Sequence, residues 1–209
     1  VVRCTLAPRR DITQHARMHT YETTVTWTGN AGQGTRDYRA YRRDHEVAAD
    51  GPPTIPASSD PAFRGDKARW NPEQLLVASL SQCHMLWYLH LCADAGVNIV
   101  AYVDQAVGTM IEHDDGSGEF TGVTLRPRVT VSAASMVEPA QALHHRVPAL
   151  CFIARSVNFA VTHEPTESDT GTDTEPLAHS PTPTPIPTPT PLTSTPIPTL
   201  TLDHTPTPC

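Results

Sequence analysis

Two cysteines, Cys83 and Cys151, are where chemistry is most readily built in this sequence. Cys83 lies within a run of apolar residues, where a lone thiol acts as a small buried hydrophobe. Cys151 stands in Ala149-Leu-Cys-Phe-Ile-Ala-Arg-Ser156, just after Pro148, which is placed to open a new short helix. A thiol in the first turn of a helix has its thiolate stabilised by unpaired N–H groups. A central thiol with a second at a helix start suits a peroxidatic and resolving pair, passing from thiolate through sulfenic acid to disulfide. Two buried structural thiols remain the plain alternative. Cys92 falls nine residues after Cys83, about 100° away on a helical wheel, and reads as a core thiol rather than its partner. Cys83, His84, His90 and Cys151 also compose a conceivable zinc set. With no close CxxC or HExxH ligand pair, neither a metal nor another cofactor is expected. His84 and His90 read as packed helix residues, and Trp87 and Tyr88 line either the core or a pocket at Cys83.

The element that must position Cys83 has a well-marked beginning. Asn71-Pro72-Glu73 supplies a capping side chain, a proline at the first helical position and an acid at the positive end of the dipole. The pattern predicts a helix from there to Gly96, a C′ residue. Leu76, Leu80, Cys83, Trp87 and Leu91 share one face, and further leucines elsewhere predict burial on most sides. Before it, Tyr21–Thr28 reads as a strand, Gly29–Gly34 as a turn without arginine, and Arg36–Ala48 as a second strand. Ala49–Pro61 reads as a loop leading to Phe63-Arg64-Gly65-Asp66. After the helix, Val97–Glu112 and Phe120–Ala133 form a second hairpin about the Asp114–Gly118 turn. Glu138–Val147 reads as a helix, which Pro148 interrupts, and Phe159–Thr162 as a last short strand. The order ββ-α-ββ-α-β is an α+β class.

Composition narrows the field. The 209 residues carry a formal net charge of -7. Residues 166–209 hold 11 of the 21 prolines, 14 threonines, five acids and no Lys or Arg. That stretch is expected to stay extended and solvated as a Pro/Thr-rich disordered tail. Residues 1–17 read as a disordered extension and 18–165 as the folded domain. The body then balances 15 basic against 17 acidic residues, so nucleic acid is not expected as a partner. Leu75–Ala95 is broken by Ser79, Ser81, Gln82, His84, His90 and Asp94, which argues against a membrane span. Five cysteines without regular spacing, and no apolar leader pattern, point to a cytoplasmic chain with functional thiols rather than a disulfide scaffold.

Asn71-Pro-Glu-Gln-Leu-Leu-Val-Ala-Ser-Leu-Ser-Gln-Cys-His-Met85 resembles the NPEELL…ACH/F segment of the OsmC/Ohr family of thiol peroxidases. Leu150-Cys-Phe-Ile-Ala-Arg-Ser-Val-Asn-Phe159 resembles that family's second cysteine segment. The resemblance covers about residues 18–165. It implies an intertwined homodimer with two long cysteine-bearing helices at its centre. The implied activity is reduction of organic hydroperoxides to alcohols without metal or cofactor, recycled by a dithiol such as a lipoyl protein or a thioredoxin-like donor. By that likeness Cys83 is peroxidatic and Cys151 resolving. Glu73 orients an arginine against the thiolate, for which Arg64 is the first choice and Arg69 the reserve. An arginine suits the task because its permanent charge lowers a thiol pKa and its fork can hold both thiolate and peroxide oxygen. Glu73 and Cys83 are ten residues apart, about 15 Å along one helix, so a neighbouring subunit's glutamate is better placed than the chain's own. The contrasting function is a non-catalytic redox sensor or small-ligand binder on the same fold.

Overall fold

The computed structural model describes residues 17–171. Nine strands and two α-helices follow in the order β1 (Thr24–Trp27), β2 (His45–Ala48), β3 (Ile55–Ala57), α1 (Pro72–Asp94), β4 (Ile99–Asp104), β5 (Val107–Glu112), β6 (Gly118–Leu125), β7 (Pro127–Val131), α2 (Val137–Leu143), β8 (Ala160–His163) and β9 (Thr166–Asp169). They form three three-stranded sheets: β1-β2-β3, β4-β7-β9 and β5-β6-β8. The α+β class is as expected; the differences lie in how the strands are cut and joined.

α1 begins where the sequence places it. The Asn71 side chain accepts from the Gln74 N–H at 2.8 Å, and Gln74 Oε1 accepts from the Asn71 N–H at 3.3 Å, closing a capping box. At the other end Gly96 takes φ +71°, the left-handed conformation in which a Cβ is strained. The buried stripe differs from the expected one. Leu80, His84, Tyr88, Leu91 and Cys92 are buried, whereas Cys83 and Trp87 are only half-buried. Burial on most sides is therefore not what a single chain provides: the strands cover one face of α1 and leave the other open.

The predicted strand Val97–Glu112 breaks into β4 and β5, and Phe120–Ala133 into β6 and β7. β5 pairs with β6 while β4 pairs with β7, so one long hairpin serves two sheets. Asp104 marks the break. Its carboxylate accepts from the Arg126 N–H at 2.7 Å and from the Ser81 hydroxyl at 2.5 Å. The last residue of β4, paired with Pro127 in the ladder, thus also ties the strand to α1. Below it, Gly108 lets the helix approach: a Cβ there would stand 2.7 Å from Val77 and from Phe120.

Four further corrections concern strand bounds and connections. Residues 36–44 are turns rather than strand, and β2 is confined to His45–Ala48. Ile55–Ala57, inside the predicted loop, pairs with β2. Pro148 does not open a helix; it lies inside a 3₁₀ segment, His144–Ala149, that continues α2. Finally, Thr166–Asp169 is a strand, parallel to β7, although the sequence reading ends the domain at residue 165. Strand order here depends on a parallel partner 38 residues away, which local pattern does not carry. Residues 172–209 of the predicted tail and residues 1–16 lie outside the described residues.

Tyr88, Leu91, Cys92, Val97, Val129, Val131, Ala140, Leu143, Val147 and Cys151 make the main core between α1, α2 and the β4-β7-β9 sheet. A smaller cluster, Leu80, Val123 and Leu125, lies under β6.

Candidate active site

Cys83 and Cys151 come together. Cys83 is mid-helix and half-buried; Cys151 is 1% exposed, on the turn between His144–Ala149 and a second 3₁₀ segment, Ala154–Ser156. Both are free thiols, and Cys83 lies close enough to Cys151 to raise its thiol pKa. A backbone N–H does reach Cys151, from Ala154 to Sγ at 3.3 Å. Its effect is outweighed. Burial first, and the neighbouring Cys83 next, push the Cys151 thiol up to about 11. The expected thiolate-stabilising helix start is therefore corrected: Cys151 is kept as a neutral thiol facing Cys83. Cys92 is buried in the main core, as its wheel position predicts, and burial raises its thiol too.

An apolar rim surrounds the pair on its open side. Trp87, one turn beyond Cys83, meets Phe152 edge to face with ring centres 5.7 Å apart. Phe152 is 66% exposed and its neighbour Ile153 is also exposed. Among the ambiguous aromatics, Trp87 thus belongs to this rim. Tyr88 belongs to the core, stacked on His144 at 3.8 Å.

The other candidates are not gathered around Cys83 within one chain. Glu73, in the first turn of α1, lines an open groove of about 840 Å³ with Phe63, Val77, Asp104, Met110 and Phe120. Its Oε2 is buried there without a hydrogen-bond partner. Arg64 is exposed, at φ +67° on the cap of the 3₁₀ turn Pro61–Phe63, with its guanidinium 5.9 Å from the Tyr38 ring. Arg69 Nε lies 3.8 Å from Asp66. The sequence reading passed over Arg43, whose guanidinium sits 4.2 Å and 4.1 Å from the rings of Tyr38 and Tyr41. Its Nη1 donates to the Tyr41 carbonyl, and its Nη2 is buried without a partner. The spacing Tyr38, Tyr41, Arg43 was its only signal.

Behind the cysteines lies a histidine cluster whose extent sequence did not foretell. His84 is buried, as expected of a packed residue, whereas His90 is exposed near Asp94 at 3.6 Å. Nε2 of His84 is 2.9 Å from Nδ1 of His144, and Nε2 of His144 is 3.1 Å from Oε1 of Glu167. His163 packs on both imidazoles. Burial first, then His144 and His163, lower the pKa of His84 to about 3, so it is neutral at ordinary pH. Among the described residues no group of three or more His, Cys, Asp or Glu side chains is arranged to hold a metal ion.

The profile of the family described as OsmC-like protein matches residues 65–166. An OsmC-like protein of unknown function from Vibrio cholerae is 33% identical, covering 71% of this chain and 99% of its own, with a TM-score of 0.64. The chain belongs to the OsmC/Ohr family. The OsmC/Ohr fold is shared at lower identity by an organic hydroperoxide resistance protein from Elizabethkingia anophelis, at 17% identity and TM-score 0.54 over 74% of this chain and 99% of that one. The organic hydroperoxide resistance protein OhrB of Bacillus subtilis is 18% identical, with a TM-score of 0.50 over 72% and 98%. No protein of curated function matches the chain. Within this OsmC-family fold, the element order sets the second-cysteine segment between β7 and β8, against the middle of α1.

Proposed function

We propose that this OsmC-family chain is a thiol peroxidase that reduces organic hydroperoxides. The observation that carries the proposal is the meeting of Cys83 and Cys151, two free thiols from segments 68 residues apart, one half-open and one sealed. The half-open Cys83 thiolate attacks the distal oxygen of the hydroperoxide. The O–O bond breaks, the alkoxide takes a proton and leaves as alcohol, and Cys83 becomes a sulfenic acid. The neutral Cys151 thiol then condenses with it, releasing water and forming the disulfide. A dithiol reductant, a lipoyl-bearing or thioredoxin-like protein, restores both thiols by exchange. The rim of Trp87, Phe152 and Ile153 favours a substrate with an alkyl chain over hydrogen peroxide.

The proposal includes a homodimer. Glu73 carries a buried unpartnered oxygen in an apolar groove, and its distance along α1 keeps it from its own Cys83. A second copy seated on the groove supplies an arginine to Glu73 and completes both sites. Arg64 remains the assigned arginine, and Arg43 shares its contact with Tyr38, so each is to be replaced by alanine separately.

The test is intact mass after one equivalent of tert-butyl hydroperoxide. Wild type should form one disulfide. Cys151→Ser should retain a sulfenic acid that dimedone traps. Cys83→Ser should not be oxidised. Thiols left free at both positions in wild type would end the peroxidase proposal. Oxidation without repeated turnover in excess dithiol would instead favour stoichiometric sensing.

A further inference from the structure

The chemistry assigned to the two cysteines leaves unused a set of deeply buried polar groups. The side chains of His144 and Glu167 are 0% and 2% exposed, and His84 is 4% exposed. They come from three separate elements: α1, the end of α2 and β9. Burying polar groups is costly, so their protons settle into the arrangement that neighbouring charges favour. Here that arrangement follows from the acceptor at its end. A Glu167 carboxylate 3.1 Å away favours N–H over a lone pair at His144 Nε2, although the two atoms are out of line for a hydrogen bond. His144 Nδ1 is then a lone pair, which requires an Nε2–H on His84 across 2.9 Å. The remaining lone pair of His84 is therefore on Nδ1.

His84 and Cys151 wall the same small cavity, together with Leu80, Leu125, Thr162 and His163. Its volume of about 10 Å³ is at the lower limit for one water. The group to be deprotonated and a group with a free lone pair thus border one small cavity.

We infer that Glu167–His144–His84 is a proton relay for the Cys151 thiol, with His84 as its acceptor and His144 and Glu167 as positioning residues. The inference rests on the peroxidase reading for its step, though not for its test. As the disulfide forms, the Cys151 proton passes to His84 Nδ1, that on His84 Nε2 to His144 Nδ1, and that on His144 Nε2 to Glu167. The Cys151 sulfur attacks Cys83 Sγ of the sulfenic acid. The S–S bond forms, the S–O bond breaks, and the departing hydroxide takes up a proton as water. Cys151 is oxidised and the Cys83 sulfenic sulfur is reduced. The proton then returns from Glu167 through His144 and His84, which restores both tautomers and replaces the proton that the hydroxide took from solvent. The other titratable groups packed against it are His163, His145 beside His163, and Tyr88 stacked on His144.

Two measurements test this on the full chain. In ¹⁵N-histidine-labelled wild type, NMR should show His84 protonated at Nε2 and bare at Nδ1; the opposite tautomer overturns the relay. Glu167→Gln keeps the shape but removes the carboxylate that takes up the proton at the end of the relay. Rapid mixing with peroxide should then give Cys83 sulfenic acid at the wild-type rate, while closure to the disulfide slows by roughly a hundred-fold. Closure within about two-fold of wild type overturns the inference. Diamide supplies a second arm, because its Cys83 adduct is resolved by the same Cys151 attack without any peroxide. If peroxide leaves wild type reduced, the peroxidase proposal fails alone, and diamide closure still decides the relay. If Glu167→Gln does not fold, the wild-type tautomer decides.

Discussion

The two faces of α1 have opposite fates. One face, Leu80, His84, Tyr88 and Leu91, is sealed by the strands of its own chain. The other, Glu73, Val77, Ala78 and Ser81, opens on a wide groove. Cys83 sits at the seam, half-buried, with Cys151 beneath it on the sealed side. The contrast teaches that one helix does two jobs. Its sealed face provides folding free energy and an ordered polar interior. Its open face holds a carboxylate oxygen that no described residue of the same chain satisfies.

The largest expected break in this contrast comes from charging the groove. Val77→Asp should convert a dimer to a monomer in sedimentation and abolish peroxide turnover, leaving the far-UV circular dichroism intact. A variant that stays dimeric would place the interface elsewhere. On the sealed side, Leu80→Ala should cost about 3 kcal/mol in denaturant unfolding, since it deletes a fully buried side chain. His90→Ala, at the exposed pair with Asp94, should change stability by less than about 0.5 kcal/mol. Equal losses would mean the two surfaces are not distinct.

Acid sharpens the contrast further. The folded pKa of His84 is depressed, so the unfolded chain binds its proton first as pH falls. Its contribution to stability is present above pH 6.5 and is lost as pH falls from there toward about 3. The melting temperature of wild type should drop across that window, and His84→Gln should flatten the drop. At the other extreme, the raised Cys151 thiol predicts stability that is lost as pH rises from 9 toward about 11, and Cys151→Ser should remove that loss. The smallest effect is expected at Cys92→Ala, which removes a buried sulfur from the main core and should leave disulfide formation at its wild-type rate. A changed rate would bring Cys92 into the thiol chemistry.

The sequence by itself determined the features written in neighbouring residues. Asn71, Pro72 and Gln74 specify the start of α1 because a cap acts within one turn. Gly96 specifies its end because few residues tolerate a positive φ. The motifs around Cys83 and Cys151 marked both thiols and the family. Only tertiary structure decided what depends on partners far along the chain. The breaks between β4 and β5 and between β6 and β7 follow from Asp104 binding Ser81 and Arg126, 23 and 22 residues away. β9 exists because β7 offers it a parallel edge, so Glu167, by composition one more acid of a soluble tail, becomes a buried carboxylate against His144. The raised Cys151 thiol follows in the same way. A helix start alone would favour the thiolate, but desolvation beneath α1 outweighs a backbone N–H, and burial is a property of the packed molecule rather than of any segment.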